Sequence, residues 1–67
     1  MKLKELISVL DDTNIFEIFE DEIYITHDLS LNDLKKSKYL NATVDKVTSE
    51  YVDDITSKIY IYIYVHL

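Results

Sequence analysis

The stretch that decides the fold is the C-terminal segment KIYIYIYVHL, Lys58–Leu67. Successive side chains of a β-strand point to opposite faces, so this alternation predicts a strand at about residues 58–66 with two different faces. One face carries Ile59, Ile61, Ile63 and Val65, and the other carries Tyr60, Tyr62 and Tyr64. The interior of the segment has no charge and no proline to discourage pairing with other chains. We therefore expect this strand in the middle of a sheet.

A β-hairpin is predicted for the segment IFEIFEDEIYITHD, residues 15–28. Two β-branched and aromatic runs, at about residues 15–20 and 22–27, flank an acidic tip, Glu20-Asp21-Glu22. The first run has two apolar faces, one with Ile15 and Phe19 and the other with Phe16 and Ile18. We expect this run inside the sheet, because both of its faces need cover. The second run is less apolar and is typical of an edge strand.

Two helices are predicted. Apolar residues spaced at i, i+3, i+4 and i+7 indicate an amphipathic helix at about residues 2–11; they are Leu3, Leu6, Ile7 and Leu10. Ser30 followed by Asp33 resembles a capping box and indicates a second helix at about residues 31–38. The chain has no glycine, so we expect Asn14 to take the positive φ that ends the first helix.

The remaining strand is the Thr/Val-rich segment at about residues 42–51. Val44 and Val47 are three positions apart, which breaks strict alternation and indicates a bulge or a shorter strand. We expect this strand at an edge. A polar turn at residues 52–57 then closes a second hairpin with the C-terminal strand.

These elements predict one small α+β domain over residues 1–67, in the order α-β-β-α-β-β. Placing the first and last strands side by side gives a four-stranded, mainly antiparallel sheet of order 2-1-4-3, with both hairpins intact. The isoleucine face of the last strand would take the first helix as its core, and we expect the second helix on the same face.

The opposite face of the sheet is the candidate contact surface. We expect it to present Phe16, Ile18, Tyr60, Tyr62 and Tyr64. Either the second helix crosses to cover this face, or the face is open and marks a binding surface, for which tyrosine is well suited. Its partner would be a second copy, giving a homodimer, or another protein.

The charge is acidic, with 13 Asp and Glu against 7 lysines and a net charge of −6. Arginine is absent, which argues against direct binding to nucleic acid. No lysine lies between Asp11 and Asp33. This stretch either keeps the protein soluble or forms a ridge that imitates a row of phosphates; the ridge would consist of Glu17, Glu20, Asp21, Glu22 and Asp28.

Residues for catalysis are scarce. Without cysteine or glycine the chain has no disulfide, thiolate metal site, phosphate loop or nucleophile elbow. His27 and Asp28 are neighbours in a strand and point to opposite faces, so they do not form a base and its orienting partner. The acidic stretch lacks the glycine and ligand alternation of a calcium loop. We expect no catalytic residue, no metal, no cofactor and no enzymatic activity.

The N-terminal segment MKLKELISVLDD does not match a signal peptide, because Glu5 interrupts its apolar run and Asp11 closes it. The apolar C-terminal segment is about half the length of a membrane span and has a period of two. We expect no membrane partner. The lack of cysteine fits a reducing compartment, so a cytoplasmic location is expected.

The start, MKLKELISVLDD, and the end, IYIYIYV, resemble a loose class of very short phage and mobile-element proteins of low-GC bacteria. Inhibitors of bacterial defence systems are prominent in that class. The resemblance implies a binding protein in the host cytoplasm and no particular site residues. Our hypothesis is a non-enzymatic protein-binding module that inhibits a host defence nuclease by surface occlusion or by acidic nucleic-acid mimicry. The alternative is a self-associating structural module without an inhibitory role.

Overall fold

The computed structural model describes residues 1–53 and 58–67, except for the side chains of residues 26–28, 51–53 and 58. Its elements are α1 (Leu3–Ile7), β1 (Ile15–Glu20), β2 (Ile23–Leu29), α2 (Leu31–Lys35), β3 (Thr43–Asp53) and β4 (Lys58–His66). The predicted α+β order is confirmed. Both helices are shorter than predicted, with five residues each. Within the described ranges, no helix has the length and apolar character needed to cross a membrane.

The four strands form one mixed sheet in the predicted order β2-β1-β4-β3. The pairs β1–β2 and β3–β4 are antiparallel hairpins, and β1 runs parallel to β4. Residues 54–57 of the turn predicted at 52–57 lie outside the described residues. The parallel pairing is regular over six consecutive residue pairs, from Ile15–Tyr60 to Glu20–Val65. The two strands with two apolar faces are therefore interior, as the sequence predicts.

Both edge strands are irregular. The pairing of β2 with β1 contains two register shifts, and the pairing of β3 with β4 contains two more. One of them, between Val44 and Lys46, confirms the predicted bulge and leaves Asp45 as the extra residue. Bulges twist an edge and hinder the addition of a further strand, so they protect the two edges that the sheet exposes.

The core lies between the helices and one face of the sheet. Its buried residues are Leu3, Ile7, Phe16, Ile18, Leu34, Tyr39, Ala42, Ile63 and Val65. Both helices contribute to it, so the prediction that they pack on one face is confirmed. The cover is incomplete along β4, because Ile59 on the same face remains 39% exposed.

The N-terminus is tied to the segment that leads into β3. Three backbone N–H groups donate across this contact: Leu3 to Ala42 at 3.0 Å, Lys4 to Leu40 at 2.9 Å, and Val44 to Met1 at 2.8 Å. An isolated helix of one turn is not stable in water, so these bonds and the burial of Leu3 hold α1 in place. Beyond Ile7 the hydrogen bonds shift to i−3 carbonyls, which ends the α-helix early.

The predicted capping box begins α2. The Ser30 hydroxyl accepts a hydrogen bond from the Asp33 N–H at 3.1 Å, and the Asp33 carboxylate accepts one from the Ser30 N–H at 3.0 Å. These bonds favour the ionised carboxylate and lower the pKa of Asp33. They fix the start of α2, from which Leu34 reaches the core.

The backbone is strained at the hairpin tip between β1 and β2. Asp21 and Glu22 form a two-residue loop and have φ angles of 51° and 70°. Positive φ at both positions is typical of a type I′ turn, whose twist matches that of the flanking strands. Among the described residues no other has a positive φ, so the prediction for Asn14 is wrong. The turn there is instead held by the Asp11 carboxylate, which accepts hydrogen bonds from the N–H and hydroxyl of Thr13, each at 2.9 Å.

Replacing Glu22 with glycine should stabilise the fold. A side chain with a Cβ is disfavoured at the observed φ of 70°, and its removal should raise the free energy of unfolding by about 1 kcal/mol. Urea denaturation followed by circular dichroism measures this difference. Glu22→Gln is the matched control, because it removes the same charge but keeps the Cβ. Equal effects of the two changes would show that charge, and not backbone strain, is responsible.

The incomplete cover of β4 predicts unequal costs for one substitution made at two positions. Ile63→Val removes a methylene group from a fully buried side chain and should lower the free energy of unfolding by about 1 kcal/mol. Ile59→Val, on the same face of the same strand, should cost less than half as much because that side chain is 39% exposed. Urea denaturation of both variants tests the difference. Similar costs would mean that the core extends along the whole strand.

Candidate protein-binding face

The side of the sheet that faces away from the helices is named here the aromatic face. The β1–β4 and β3–β4 registers and the alternation along each strand define its described side chains: Ile15, Glu17, Phe19, Tyr24, Lys46, Thr48, Glu50, Tyr60, Tyr62 and Tyr64. None of them is buried. Every side chain buried in the described part of the chain belongs to the core instead. Of the two arrangements that the sequence leaves open, α2 packs on the core side and does not cross to this face.

Phe16 and Ile18 do not belong to the aromatic face, so the prediction that they line it with the tyrosines is wrong. Both side chains are 0% exposed. The parallel register pairs Phe16 with Ile61 and Ile18 with Ile63, and paired residues share a face of the sheet. The other side of β1, with Ile15 and Phe19, lies beside the tyrosines.

A continuous row of side chains crosses all four strands, with aromatic rings on three of them and a lysine on the fourth. Tyr24 on β2 lies 5.2 Å from Phe19 on β1, measured between ring centroids, and Phe19 stacks on Tyr64 of β4 at 4.5 Å. The row ends at β3, where the Lys46 ammonium lies 4.4 Å from the centroid of the Tyr64 ring. Cations within about 6 Å of an aromatic centroid are attracted by the electron-rich ring face. The row is therefore both an apolar surface and a surface that accepts positive charge.

Tyr62 joins this row from the side and is held by a carboxylate. Its ring meets Phe19 edge to face at 6.0 Å, and its hydroxyl donates to Glu50 Oε2 at 2.7 Å. The hydrogen bond to Glu50 raises the pKa of Tyr62 to about 12, since the negative carboxylate disfavours a phenolate. A similar bond joins the Tyr24 hydroxyl to Glu17 Oε1 at 3.3 Å. Both phenols are thus oriented by carboxylates of the same face.

The predicted acidic ridge is divided between different surfaces. Glu17 lies on the aromatic face, whereas Glu20 lies on the opposite face, where it pairs with Val65. There the phenol of the buried Tyr39 forms a hydrogen bond with the Glu20 carboxylate. Burial is the main cause that raises the pKa of Tyr39, and this hydrogen bond raises it further. Asp21 and Glu22 form the exposed hairpin tip. The side chain of Asp28 is outside the described residues, as is that of His27.

Sequence reasoning also missed a polar pair at the C-terminal end of β4. His66 Nδ1 lies 2.7 Å from Asp45 Oδ1, the bulge residue of β3. The hydrogen bond to Asp45 raises the pKa of His66, because the carboxylate favours the charged imidazolium. Among the described residues, no group of three or more His, Asp or Glu side chains is arranged to hold a metal ion.

The hydrogen bond between Tyr62 and Glu50 predicts that the Tyr62 phenol has a raised pKa. In the native protein Tyr62 should titrate at a pH of about 12, above the ordinary tyrosine value of about 10. Glu50→Gln removes the negative partner and should lower the pKa of Tyr62 toward the ordinary value. The ¹³Cζ chemical shift of tyrosine, followed against pH, measures it. Glu5→Gln, on α1, makes the same chemical change and should leave the pKa of Tyr62 unaltered. An ordinary pKa of Tyr62 in the native protein would show that its hydrogen bond to Glu50 does not form.

Comparison with known proteins gives this chain no relative from which a role is inferred. No protein-family model matches it, and neither does any curated protein or solved structure.

Proposed function

We propose that this protein is a non-enzymatic protein-binding module and that the aromatic face is its contact surface. The observation that carries the proposal is the row of aromatic rings on a sheet face that no described element covers. Contiguous apolar patches on small proteins commonly mark binding sites. Tyrosine is enriched in such sites because it combines a large apolar ring with a polar tip.

The contacts among the rings favour a binding role for the aromatic face over chance exposure of its side chains. Phe19 contacts three other rings, and the hydroxyls of Tyr24 and Tyr62 donate to Glu17 and Glu50. Rings held in this way lose little rotamer freedom when a partner arrives, which lowers the entropic cost of association. A partner would thus meet a surface that already has its bound shape.

The partner that we propose is a component of a bacterial defence system, a nuclease above all, inhibited in the host cytoplasm by a phage-borne protein. The resemblance of both termini to short phage and mobile-element proteins supports this step. Occlusion of the partner's surface is a better mechanism than imitation of nucleic acid. Imitation needs carboxylates in one row, and Glu17 and Glu20 lie on opposite faces of the sheet.

Self-association through the aromatic face is the alternative. Each chain has a net charge of −6, and a face-to-face dimer brings two such charges together. This repulsion opposes a homodimer but favours a partner of opposite charge. Sedimentation equilibrium separates the two: a stable dimer that Tyr62→Lys breaks would support the structural module and oppose our proposal.

The proposal predicts that partner capture depends on Tyr62. Immobilised protein should retain a host protein from lysate, and Tyr62→Ser should weaken that retention by roughly 30-fold or more, the usual effect of losing a central aromatic anchor. Binding to the purified captured protein measures the change. Where that protein is a nuclease, its activity should fall on addition of the native chain and remain on addition of the variant.

The matched control is the double change Asp21→Asn and Glu22→Gln at the exposed hairpin tip. It removes two charges outside the aromatic face and should leave capture within about twofold, as expected for rim charges. Capture that survives Tyr62→Ser but fails with the tip variant would overturn the proposal in favour of acidic mimicry. Circular dichroism verifies that each variant is folded, and Phe19→Leu provides a second test of the same surface.

A further inference from the structure

From the ring and carboxylate geometry, we infer that the aromatic face receives a cationic side chain of its partner, an arginine or a lysine. It would lie over Phe19 and Tyr62, between the carboxylates of Glu17 and Glu50. This inference rests on the proposed function and names the chemistry of the surface that the module contacts. It commits to a basic partner, whereas the aromatic rings alone would suit any apolar surface.

Lys46 provides direct support. Its ammonium lies 4.4 Å from the centroid of the Tyr64 ring, so this row of rings already holds a positive charge against one of its members. Lys46 occupies only the end of the row, on the exposed edge strand β3. Phe19, stacked on Tyr64 at 4.5 Å, continues the same surface toward the sheet centre, where a cation from outside would bind.

Two carboxylates flank the centre of this surface. Glu17 is the register partner of Tyr62 on β1, and Glu50 accepts the Tyr62 hydroxyl from β3 on the other side. An ionised carboxylate has about four acceptor positions, so one that accepts a hydrogen bond from a phenol also has capacity for a guanidinium or an ammonium group. A phenol that donates to a carboxylate is polarised, and its ring becomes a better acceptor for positive charge.

The overall charge acts in the same direction. A chain of net charge −6 attracts a basic surface from a distance. This long-range attraction does not depend on which residues finally make contact. The rings and carboxylates then determine where the cation settles. This division of roles distinguishes a defined site from simple attraction between opposite charges.

The test uses acetylated and amidated hexa-arginine as the probe, titrated into the ¹⁵N-labelled protein. Chemical shift changes should concentrate on residues of β1 and β4 in the aromatic face. Glu50→Gln should weaken binding by roughly tenfold, as expected for one charge-assisted hydrogen bond. Lys46→Met should strengthen it severalfold, because it removes a like charge from the end of the row.

Glu5→Gln is the matched control for Glu50→Gln. Both changes replace a glutamate with glutamine and leave the same net charge, but Glu5 lies on α1, on the other side of the sheet. Glu5→Gln should alter the affinity by less than twofold. Equal weakening by the two variants, or shift changes spread over the whole surface, would overturn the inference and leave only attraction by net charge.

Phe19→Leu keeps every charge and removes one ring, and it should weaken hexa-arginine binding about fivefold. Unchanged affinity in this variant would also overturn the inference. The inference can fail without the proposed function: loss of partner capture in Tyr62→Ser, together with unlocalised hexa-arginine binding, would leave the binding module in place and remove only its preference for cations.

Discussion

The parallel pairing of β1 with β4 is the constraint on which the whole structure depends. It joins two hairpins from opposite ends of the chain, and its six consecutive pairs have no bulge. The chain has no cysteine for a disulfide, and a domain of this size buries only about 60% of its unfolded surface. Contacts between segments so distant in sequence are costly in loop entropy. Packing of Phe16 and Ile18 beside Ile63 and Val65 has to repay that cost.

The same pairing determines the character of the other face. Once the buried sides of both strands turn toward the helices, alternation sends Phe19, Tyr62 and Tyr64 to the opposite side together. Those rings stabilise one another through stacking and edge contacts, and the Tyr62 hydroxyl donates to the Glu50 carboxylate, so the face is ordered without a covering layer. The β1–β4 register thus produces both the buried core and the aromatic face. A shift of this register by one residue would disrupt both of them.

Sequence reasoning predicted the strand order because it depends on which strands have two apolar faces, a local property of residues 15–20 and 58–66. It failed where the answer depends on contacts between distant segments. Whether Phe16 or Phe19 accompanies the tyrosines is decided by the β1–β4 register, which alternation within each strand does not specify. The positive φ at Asp21 and Glu22 instead required the exact loop length, and the Tyr62–Glu50 and Asp45–His66 pairs required the β3–β4 register.

The bulge at Asp45 connects the core to the aromatic face. Without an extra residue, Val44 and Lys46 would point to the same side of β3. With it, Val44 packs against the core and pairs with Val65, while Lys46 pairs with Tyr64 and reaches that ring. The bulge residue is itself held by His66, at 2.7 Å, from the end of β4. A single irregularity on an edge strand thus protects that edge, completes the core and sets the charge pattern of the proposed binding surface.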